Sequence, residues 1–426
     1  MKNKILYIIL ALCLFSCKTI DNSTQITEEN TEIDIVEPVI ILEPELTETQ
    51  LLDIKINNII NNMSVEQKIG QLLMIQIRGY TEMTNELELY INSIHPGGII
   101  LFANNIINDD QVLKLNKSLQ SISEVPLFIS VDEEGGVVSR LGKNKNVSVT
   151  YLPPALTVGS KNNPELAFNS GKILSRELKS LGFNMDMAPV ADVNTNPNNP
   201  VIGNRTYSDD PFIVADMIEQ FIYGMNTNNV ISVLKHFPGH GDTSTDSHLG
   251  TVVSPHSRER LDQVEFIPFK RGIDINADAI MTAHIIMPGI SSIPLPATLN
   301  RDIITGILRD EFKYNGIVIT DAMDMGAISQ NFKSEEAALT AINAGIDIVL
   351  IPLNQQKTYN YLLESYKAGN LTEKRLNESV YRIIKLKLTK NIISGNESEL
   401  ENIKDIKNDE KHINLIQTII KDYNKN

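Results

Sequence analysis

The sequence predicts an α/β fold, a single (β/α)8 barrel of the TIM type, from three observations. Short apolar runs recur between helical stretches, and eight of them can be counted. The runs are apolar throughout and do not alternate with polar residues, which is typical of strands buried on both faces. Polar clusters follow several of the runs, as expected at the carboxyl ends of barrel strands. A doubly wound open sheet is the alternative, but no glycine-rich phosphate-binding motif follows the first run.

The predicted strands are separated by helices with recognisable ends. The strands are expected at residues 73–77, 98–102, 126–131, 184–188, 231–234, 279–283, 316–320 and 346–351. A capping box from Ser64 to Gln67 predicts a short helix before the first strand. Gly182 and Gly345 follow two helical stretches as C-caps, and Thr372 is the expected N-cap of a third.

Composition excludes one class of partner. The 426-residue chain has a formal net charge of −15 and a pI near 5.0, which argues against nucleic acid because phosphate binding needs a basic face. A hydrophobic content of 42% with 21% charged residues is ordinary for a globular protein. The chain contains no tryptophan, so any stacking on a sugar must use tyrosine, phenylalanine or histidine.

The N-terminus predicts export. Lys2 and Lys4 precede an apolar run that is too short to span a bilayer as a stable helix. The run ends at Leu14-Phe15-Ser16-Cys17, which resembles a bacterial lipobox, in which the cysteine is lipidated and becomes the first residue. We therefore expect an exported, membrane-anchored lipoprotein on the periplasmic or cell-surface face. A plain secretory signal is the alternative.

The expected division of the chain follows from these patterns. Residues 1–17 are the lipoprotein signal peptide, and residues 18–52, which have no clear apolar period, form a flexible tether. Residues 53–393 form the barrel, and residues 394–426 are a C-terminal tail that is either helical or frayed.

Residues 235–250 hold three of the seven histidines, two aspartates and a lysine. Pro238, Gly239 and Gly241 break any helix, so the segment is predicted to be a loop after the fifth strand. A polar turn and a metal site that uses His236 and His240 are both conceivable. The spacing of these histidines suits a metal only on a helix, which the proline and glycines forbid.

Two parts of the sequence favour acid–base and nucleophilic chemistry. Asp246 stands two residues before His248, so its carboxylate can hold one ring nitrogen while the other nitrogen moves protons. Asp321 ends the seventh apolar run. An aspartate at such a turn often caps a helix, but a position at a barrel mouth opposite a histidine favours a nucleophilic carboxylate.

Four segments make the chain resemble glycoside hydrolase family 3, in its β-N-acetylhexosaminidase branch. They are residues 63–71, 132–140, 235–243 together with 246–248, and 320–323. Val137 departs from the pattern, because the family usually has arginine there. Many family members add an α/β sandwich domain after the barrel, and this chain is expected to lack it.

The resemblance implies a retaining exo-β-N-acetylglucosaminidase that removes terminal β-linked N-acetylhexosamine from peptidoglycan fragments or related glycans through a covalent glycosyl-enzyme. Asp321 would be the nucleophile, His248 the general acid and base, and Asp246 the residue that orients His248. The residues implied to bind substrate are Asp132, Arg140, Arg205, Lys235 and His236. The two arginines could instead form structural ion pairs with Asp132, Asp192 or Glu134.

The expected partners are a small carbohydrate, such as a GlcNAc-terminated glycan or a muropeptide, and a membrane through the lipid anchor. No metal or other cofactor and no nucleic acid are expected, and the protein is expected to be a monomer. Three rivals remain: a family 3 β-glucosidase-like enzyme on another sugar, a non-catalytic carbohydrate-binding surface lipoprotein, and a metal-dependent hydrolase. The Asp-Ser-His segment argues against the first, because the glucosidase branch does not resemble this chain there.

Overall fold

The computed structural model describes residues 46–245, 250–393 and 400–424, with side chains up to residue 421. The predicted signal peptide with Cys17, and the pair Asp246 and His248, lie outside the described residues.

The prediction of a (β/α)8 barrel is confirmed. The twelve described strands are β1 (Leu73–Gln76), β2 (Gly98–Ile100), β3 (Phe128–Val131), β4 (Glu133–Gly135), β5 (Val138–Ser139), β6 (Met185–Asp186), β7 (Ile231–Phe237), β8 (Val252–Val253), β9 (Ala279–Thr282), β10 (Ile285–Ile286), β11 (Ile317–Thr320) and β12 (Val349–Leu350). Eight of these strands form one parallel sheet in the order β11-β9-β7-β6-β3-β2-β1-β12. Each predicted run coincides with one barrel strand.

Helices surround the barrel. The α-helices are α1 (Glu48–Asn62), α2 (Val65–Gln71), α3 (Asn85–Ile94), α4 (Asp109–Ser121), α5 (Ala155–Gly159), α6 (Pro164–Ser180), α7 (Pro211–Asn226), α8 (Arg258–Gln263), α9 (Phe266–Asp274), α10 (Gly326–Ser329), α11 (Ser334–Ala344), α12 (Gln355–Lys367), α13 (Glu373–Thr389), α14 (Ile403–Asn408) and α15 (Glu410–Asn424). The 3-10 turns are Ala103–Asn105, Gly203–Arg205 and Ala297–Leu299, and Asp302–Glu311 is a π-helix. None of the described helices has both the length and the apolar character needed to cross a bilayer.

Local sequence signals explain several helix ends. The Ser64 hydroxyl accepts a hydrogen bond from the Gln67 backbone N–H, and the Ser64 backbone N–H donates one to the Gln67 side-chain oxygen, so the predicted capping box is present at α2. Gly182 and Gly345 have φ angles of 83° and 121°, in the region that favours glycine, just after α6 and α11. Helix α1 begins at Glu48, inside the range predicted as a tether, where Thr47 forms a capping box with Gln50.

The fifth barrel strand is longer than predicted. The sequence predicts a loop from residue 235 onward, whereas β7 continues through Phe237. All seven residues of this strand are buried, and the Phe237 ring stacks on Phe266 at 5.8 Å between ring centres. Lys235 and His236 have buried acidic partners, described below. Because these two residues are polar, the apolar pattern of the sequence does not indicate that the strand continues through them.

The barrel closes at the seam between β11 and β12, and the buried carboxylate of Asp347 stabilises this seam. Backbone pairing at this seam includes a bridge between Ile319 and Ile348 and a hydrogen bond from the Asp347 N–H to the Val318 carbonyl at 2.8 Å. Asp347 adds a side-chain bond from the Val318 backbone N–H at 3.0 Å and one from the Ser379 hydroxyl of α13 at 2.6 Å. Arg309 and Arg382 donate to the same carboxylate at 2.5 and 2.9 Å. One side chain therefore joins two strands to the π-helix and α13.

We predict that Asp347→Asn lowers the free energy of unfolding by about 3 kcal/mol, because it leaves buried guanidinium groups without a carboxylate. Urea unfolding of the two proteins measures the difference. Glu364→Gln is the matched control, because Glu364 pairs with Lys367 on the surface, with exposed fractions of 70% and 57%. The control should change stability by less than about 0.5 kcal/mol. Equal effects of the two substitutions would contradict the role of Asp347 in the seam.

Candidate active site

Polar residues singled out from the sequence, apart from Asp246 and His248, which are not described, meet at the carboxyl ends of the barrel strands. Asp132 follows β3 directly, Lys235 and His236 end β7, and Asp321 follows β11. Arg205 enters from the 3-10 turn Gly203–Arg205. The structure thus brings residues from distant parts of the sequence to one mouth, where barrel enzymes bind their substrates.

A buried lysine links the two sides of this mouth. The Nζ atom of Lys235 lies 3.1 Å from Oδ1 of Asp132 and 2.6 Å from Oε1 of Glu134, and its side chain is 3% exposed. Burial alone would lower the pKa of Lys235, but the charges of Glu134 and Asp132 raise it above its usual value. The ammonium group is therefore charged and fixed in position.

Glu134 is the second centre of this cluster. Arg205 forms a two-pronged ion pair with it, with Nε and Nη2 at 2.8 and 2.7 Å from the two carboxylate oxygens. Burial alone would raise the pKa of Glu134, but the positive charges of Lys235 and Arg205 hold it well below its usual range. Arg205 therefore forms the structural ion pair that the sequence offers as an alternative to substrate contact. This ion pair does not exclude a contact between Arg205 and a substrate.

Arg140 approaches the other oxygen of Asp132. Its Nη2 atom lies 3.6 Å from Oδ2 of Asp132, and its guanidinium lies 5.7 Å from the centre of the Phe102 ring. Asp132 is 18% exposed, so its oxygens can still accept hydrogen bonds from sugar hydroxyls. The arrangement offers an acceptor and several donors around one opening.

Glu133 holds the β4–β5 hairpin that carries these residues. Its carboxylate accepts from the backbone N–H of Arg140 at 2.7 Å and of Leu141 at 2.8 Å, and from the Ser139 hydroxyl. Asp186 on β6 accepts from the Glu133 backbone N–H at 2.9 Å. Sequence reasoning missed Glu133, because its neighbours on both sides are also acidic and nothing in the spacing separates them. This residue is what places Arg140 beside Asp132.

His236 is fixed by a buried aspartate. Its Nδ1 atom lies 2.7 Å from Oδ2 of Asp192, and the backbone N–H of His240 donates to the other oxygen at 2.6 Å. Burial alone would raise the pKa of Asp192, but His236 and His240 and their hydrogen bonds hold it below its usual value. Burial lowers the pKa of His240, whose ring contacts the Thr243 hydroxyl at 2.6 Å. His236 can thus present its other nitrogen to a ligand.

Asp321 is positioned by the backbone around it. Its N–H donates to the Thr282 carbonyl at 3.0 Å, and its Oδ1 accepts from the Ala322 N–H at 2.7 Å. The next helix, α10, begins at Gly326 with Met325 as N-cap, so Asp321 does not cap it. The capping alternative from the sequence is thereby excluded.

The charges around Asp321 keep it ionised. Burial alone would raise the pKa of Asp321, but His236, His284, the hydrogen bond from the Ala322 N–H and, with a smaller effect, Lys235 together lower it below its usual value. His284 also supports the backbone of the site, because its Nε2 lies 3.1 Å from the Ala322 carbonyl and its Nδ1 lies 2.9 Å from the Thr298 hydroxyl. An ionised, partly buried carboxylate at a barrel mouth can act as a nucleophile.

The two flanks of the segment that contains Asp246 and His248 are also anchored. Asp242 accepts from the Thr195 hydroxyl at 2.7 Å and lies 2.6 Å from Nε2 of His256. On the far flank, β8 pairs with β10. The sequence gives no sign of the Asp242–His256 pair, since their separation fits no motif. Among the described residues, no three His, Cys, Asp or Glu side chains are arranged to hold a metal ion.

The chain is similar to known proteins in sequence and in fold. The family model described as the glycosyl hydrolase family 3 N-terminal domain matches residues 64–386. A β-hexosaminidase A from Pseudoalteromonas piscicida is 35% identical over an alignment of 365 residues, which covers 76% of this chain and 61% of that protein. A β-hexosaminidase from Xylella fastidiosa is 32% identical over 66% of this chain and 83% of its own length. This chain thus spans less than two thirds of the first relative.

A solved structure is also similar. It is a glycoside hydrolase family 3 β-N-acetylglucosaminidase from Paenibacillus sp. FPU-7, with a TM-score of 0.79 and 38% sequence identity. The similarity covers 85% of this chain and 69% of that chain.

We predict that Glu134→Gln destabilises the protein at pH 7 by about 3 kcal/mol, because two buried cations lose their shared carboxylate. The folded-state pKa of Glu134 is lowered, so its contribution is fully present above the unfolded value of about 4.3 and is lost as pH falls further. The difference between the proteins should therefore shrink below about pH 4. Urea unfolding at pH 7 and at lower pH tests this, and a difference that is constant with pH would disprove it.

Proposed function

The chain belongs to glycosyl hydrolase family 3, and we propose that it is a retaining exo-β-N-acetylglucosaminidase. Its substrates are terminal β-linked N-acetylhexosamine residues on peptidoglycan fragments or related glycans. Asp321 is the nucleophile, and His248, oriented by Asp246, is the general acid and base. Asp132, Arg140, Arg205, Lys235 and His236 bind the sugar.

The environment of Asp321 is the observation that carries this proposal. Its carboxylate stands at the end of a barrel strand, is bound by the Ala322 N–H, and has a lowered pKa because His236 and His284 outweigh the effect of burial. A nucleophilic carboxylate must be ionised at the pH of reaction and must be held in one orientation. Both conditions are met before substrate binds.

The sugar-binding role rests on the fixed cluster beside Asp321. A neutral sugar offers hydroxyls and an amide, so recognition requires donors and acceptors at set positions and no net charge attraction. The carboxylate of Asp132 supplies acceptors, whereas the ammonium of Lys235 and the imidazole of His236 supply polar hydrogens. Their buried partners Glu134 and Asp192 keep these groups from turning away.

The proposed reaction has two displacements. In the first, a carboxylate oxygen of Asp321 bonds to the anomeric carbon as the bond to the glycosidic oxygen breaks, and His248 gives that oxygen a proton. In the second, water attacks the anomeric carbon, His248 takes a proton from the water, and the bond to Asp321 breaks. The two inversions together retain the configuration.

The first test is release of nitrophenol from nitrophenyl β-N-acetylglucosaminide. Asp321→Asn should lower kcat by about 1,000-fold or more, because it removes the nucleophile. His248→Ala should lower kcat/KM by about 100- to 10,000-fold, and by much less with a dinitrophenyl substrate, whose leaving group needs no proton. The kcat of this variant should stay low with both substrates, because His248 also takes a proton from the attacking water. Asp324→Asn is the matched control, because this neighbouring carboxylate pairs with Arg78 at 2.8 Å, and it should stay within about threefold of wild type.

The rival hypotheses of function predict other outcomes of the same assay. Turnover of the nitrophenyl β-glucoside in preference to the N-acetylglucosaminide would favour a glucosidase-like enzyme. Loss of turnover with a chelator would favour a metal-dependent hydrolase. No turnover of either substrate by wild-type protein would favour a carbohydrate-binding lipoprotein.

We further propose that the protein is exported and anchored to a membrane through a lipid on Cys17. The proposal rests on the lipobox-like sequence that ends at this cysteine. Cells that express the full chain and are fed radiolabelled palmitate should label the wild type and the Cys13→Ala control but not Cys17→Ala. An unlabelled wild type in the medium would instead indicate a plain secretory signal.

A further inference from the structure

The C-terminal segment, the tail of which residues 400–424 are described, is joined to the outside of the barrel by ion pairs and apolar contacts. Arg176 on α6 binds Glu401 at 2.5 and 2.9 Å and Asp409 at 2.7 Å. Ile403 and Ile406 on α14 are 4% and 0% exposed. The segment is therefore packed against the barrel, and helices replace the frayed alternative over most of its described length.

Glu177 on α6 is the point where this segment meets a second loop. Its fully buried carboxylate accepts from Lys407 at 2.5 Å and His412 at 2.9 Å, both in the C-terminal segment. It also accepts from the backbone N–H and the hydroxyl of Thr150, each at 2.6 Å. Lys407 contacts the Thr150 hydroxyl directly at 2.7 Å. One carboxylate thus ties together α6, the tail and Thr150.

Thr150 is followed by residues that hold the tip of the β4–β5 hairpin. The Tyr151 hydroxyl donates to the Gly136 carbonyl at 3.0 Å, and the Gly136 N–H donates to the Leu152 carbonyl at 3.0 Å. A side chain at Gly136 would meet Pro154 at 2.8 Å, and its φ of 54° also favours glycine, so the two chains touch closely. The hairpin carries the sugar-binding residues at its base.

We infer that the C-terminal segment is a positioning element for substrate binding, which acts through Lys407, His412 and Glu177 on the hairpin that holds Asp132, Glu134 and Arg140. The path runs from the tail to Thr150, from Thr150 to Gly136, and along the hairpin to the mouth. Its consequence for substrate rests on the proposed function, whereas its consequence for the hairpin does not.

Buried polar contacts make this path effective. Lys407 and His412 satisfy two of the four hydrogen bonds to a carboxylate that has no access to water. Burial alone would raise the pKa of Glu177, but His412 and Lys407 hold it below its usual value. Without these partners the carboxylate must take a proton or move toward solvent, and either change alters its bonds to Thr150.

A second, independent anchor provides a matched comparison. Asp109 on α4 accepts from the backbone N–H of Ser148 at 2.8 Å and from its hydroxyl at 2.5 Å. It holds the same loop through these two bonds, whereas the α4 ion pair with the tail, at 3.8 Å, is made by its neighbour Asp110 with Lys404. Loosening the loop at Asp109 should therefore reproduce the effect on the hairpin while the tail stays docked.

The experiment measures hydrogen exchange and kinetics on the full-length protein with Lys407→Met, His412→Leu and Asp109→Asn. Amide exchange of residues 133–142 should become roughly tenfold faster in all three variants, because the Gly136 bond opens more often. KM for the nitrophenyl N-acetylglucosaminide should rise about three- to tenfold with kcat within about twofold, since ground-state positioning is weakened and Asp321 is untouched. Lys411→Ala, on the exposed side of α15, is the inert control.

His412→Gln tests whether the contact or only the fold matters, because its amide can still donate to Glu177. Restored protection and KM in this variant would support positioning. The inference is overturned if exchange of residues 403–420 accelerates while residues 133–142 and KM stay unchanged, or if hairpin exchange changes without KM. An inactive wild type would refute the proposed function alone, because hairpin exchange would still report the coupling.

Discussion

The buried ammonium group of Lys235 is the constraint on which the mouth of this barrel depends. A cation removed from water needs compensating carboxylates at hydrogen-bond distance, and Asp132 and Glu134 provide them. Strand β7 carries the lysine, whereas the carboxylates follow β3, with β6 between these strands. The ion pairs therefore span a third strand and fix the position of the hairpin. The hydrogen bonds made by Glu133 and Gly136 also hold the hairpin in the position that the ion pairs of Lys235 require.

The charges of this cluster act on the proposed nucleophile. Lys235, which faces Asp132 and Glu134, and His236, which faces Asp192, each favour the charged form of Asp321. A nearby positive charge favours an ionised carboxylate at Asp321. The groups proposed to orient the sugar thus also favour the charged form of the proposed nucleophile.

The sequence predicts the barrel well because the patterns that indicate strands and helix ends each lie within a short stretch of the chain. Each strand is a run of apolar residues, and ends such as Ser64 and Gly182 are marked by residues with one preferred conformation. Long-range polar contacts leave no such mark. Glu133 and Glu177 read as ordinary charged residues until the fold surrounds each of them with hydrogen-bond donors. The extension of β7 to Phe237 is hidden for the same reason, because Lys235 and His236 are buried only where their partners exist.

An imidazole as the proposed proton donor is compatible with the way Asp321 is held. In a retaining enzyme with two carboxylic acids, one must stay protonated beside an ionised one, which requires that its pKa be raised. A free imidazole side chain already titrates at about 6.5, well above an aspartate near 3.9, so the two are correctly protonated together without such a shift. On the proposed mechanism, the rigid part of the barrel needs only to keep one aspartate ionised and oriented, and the contacts of Asp321 do both.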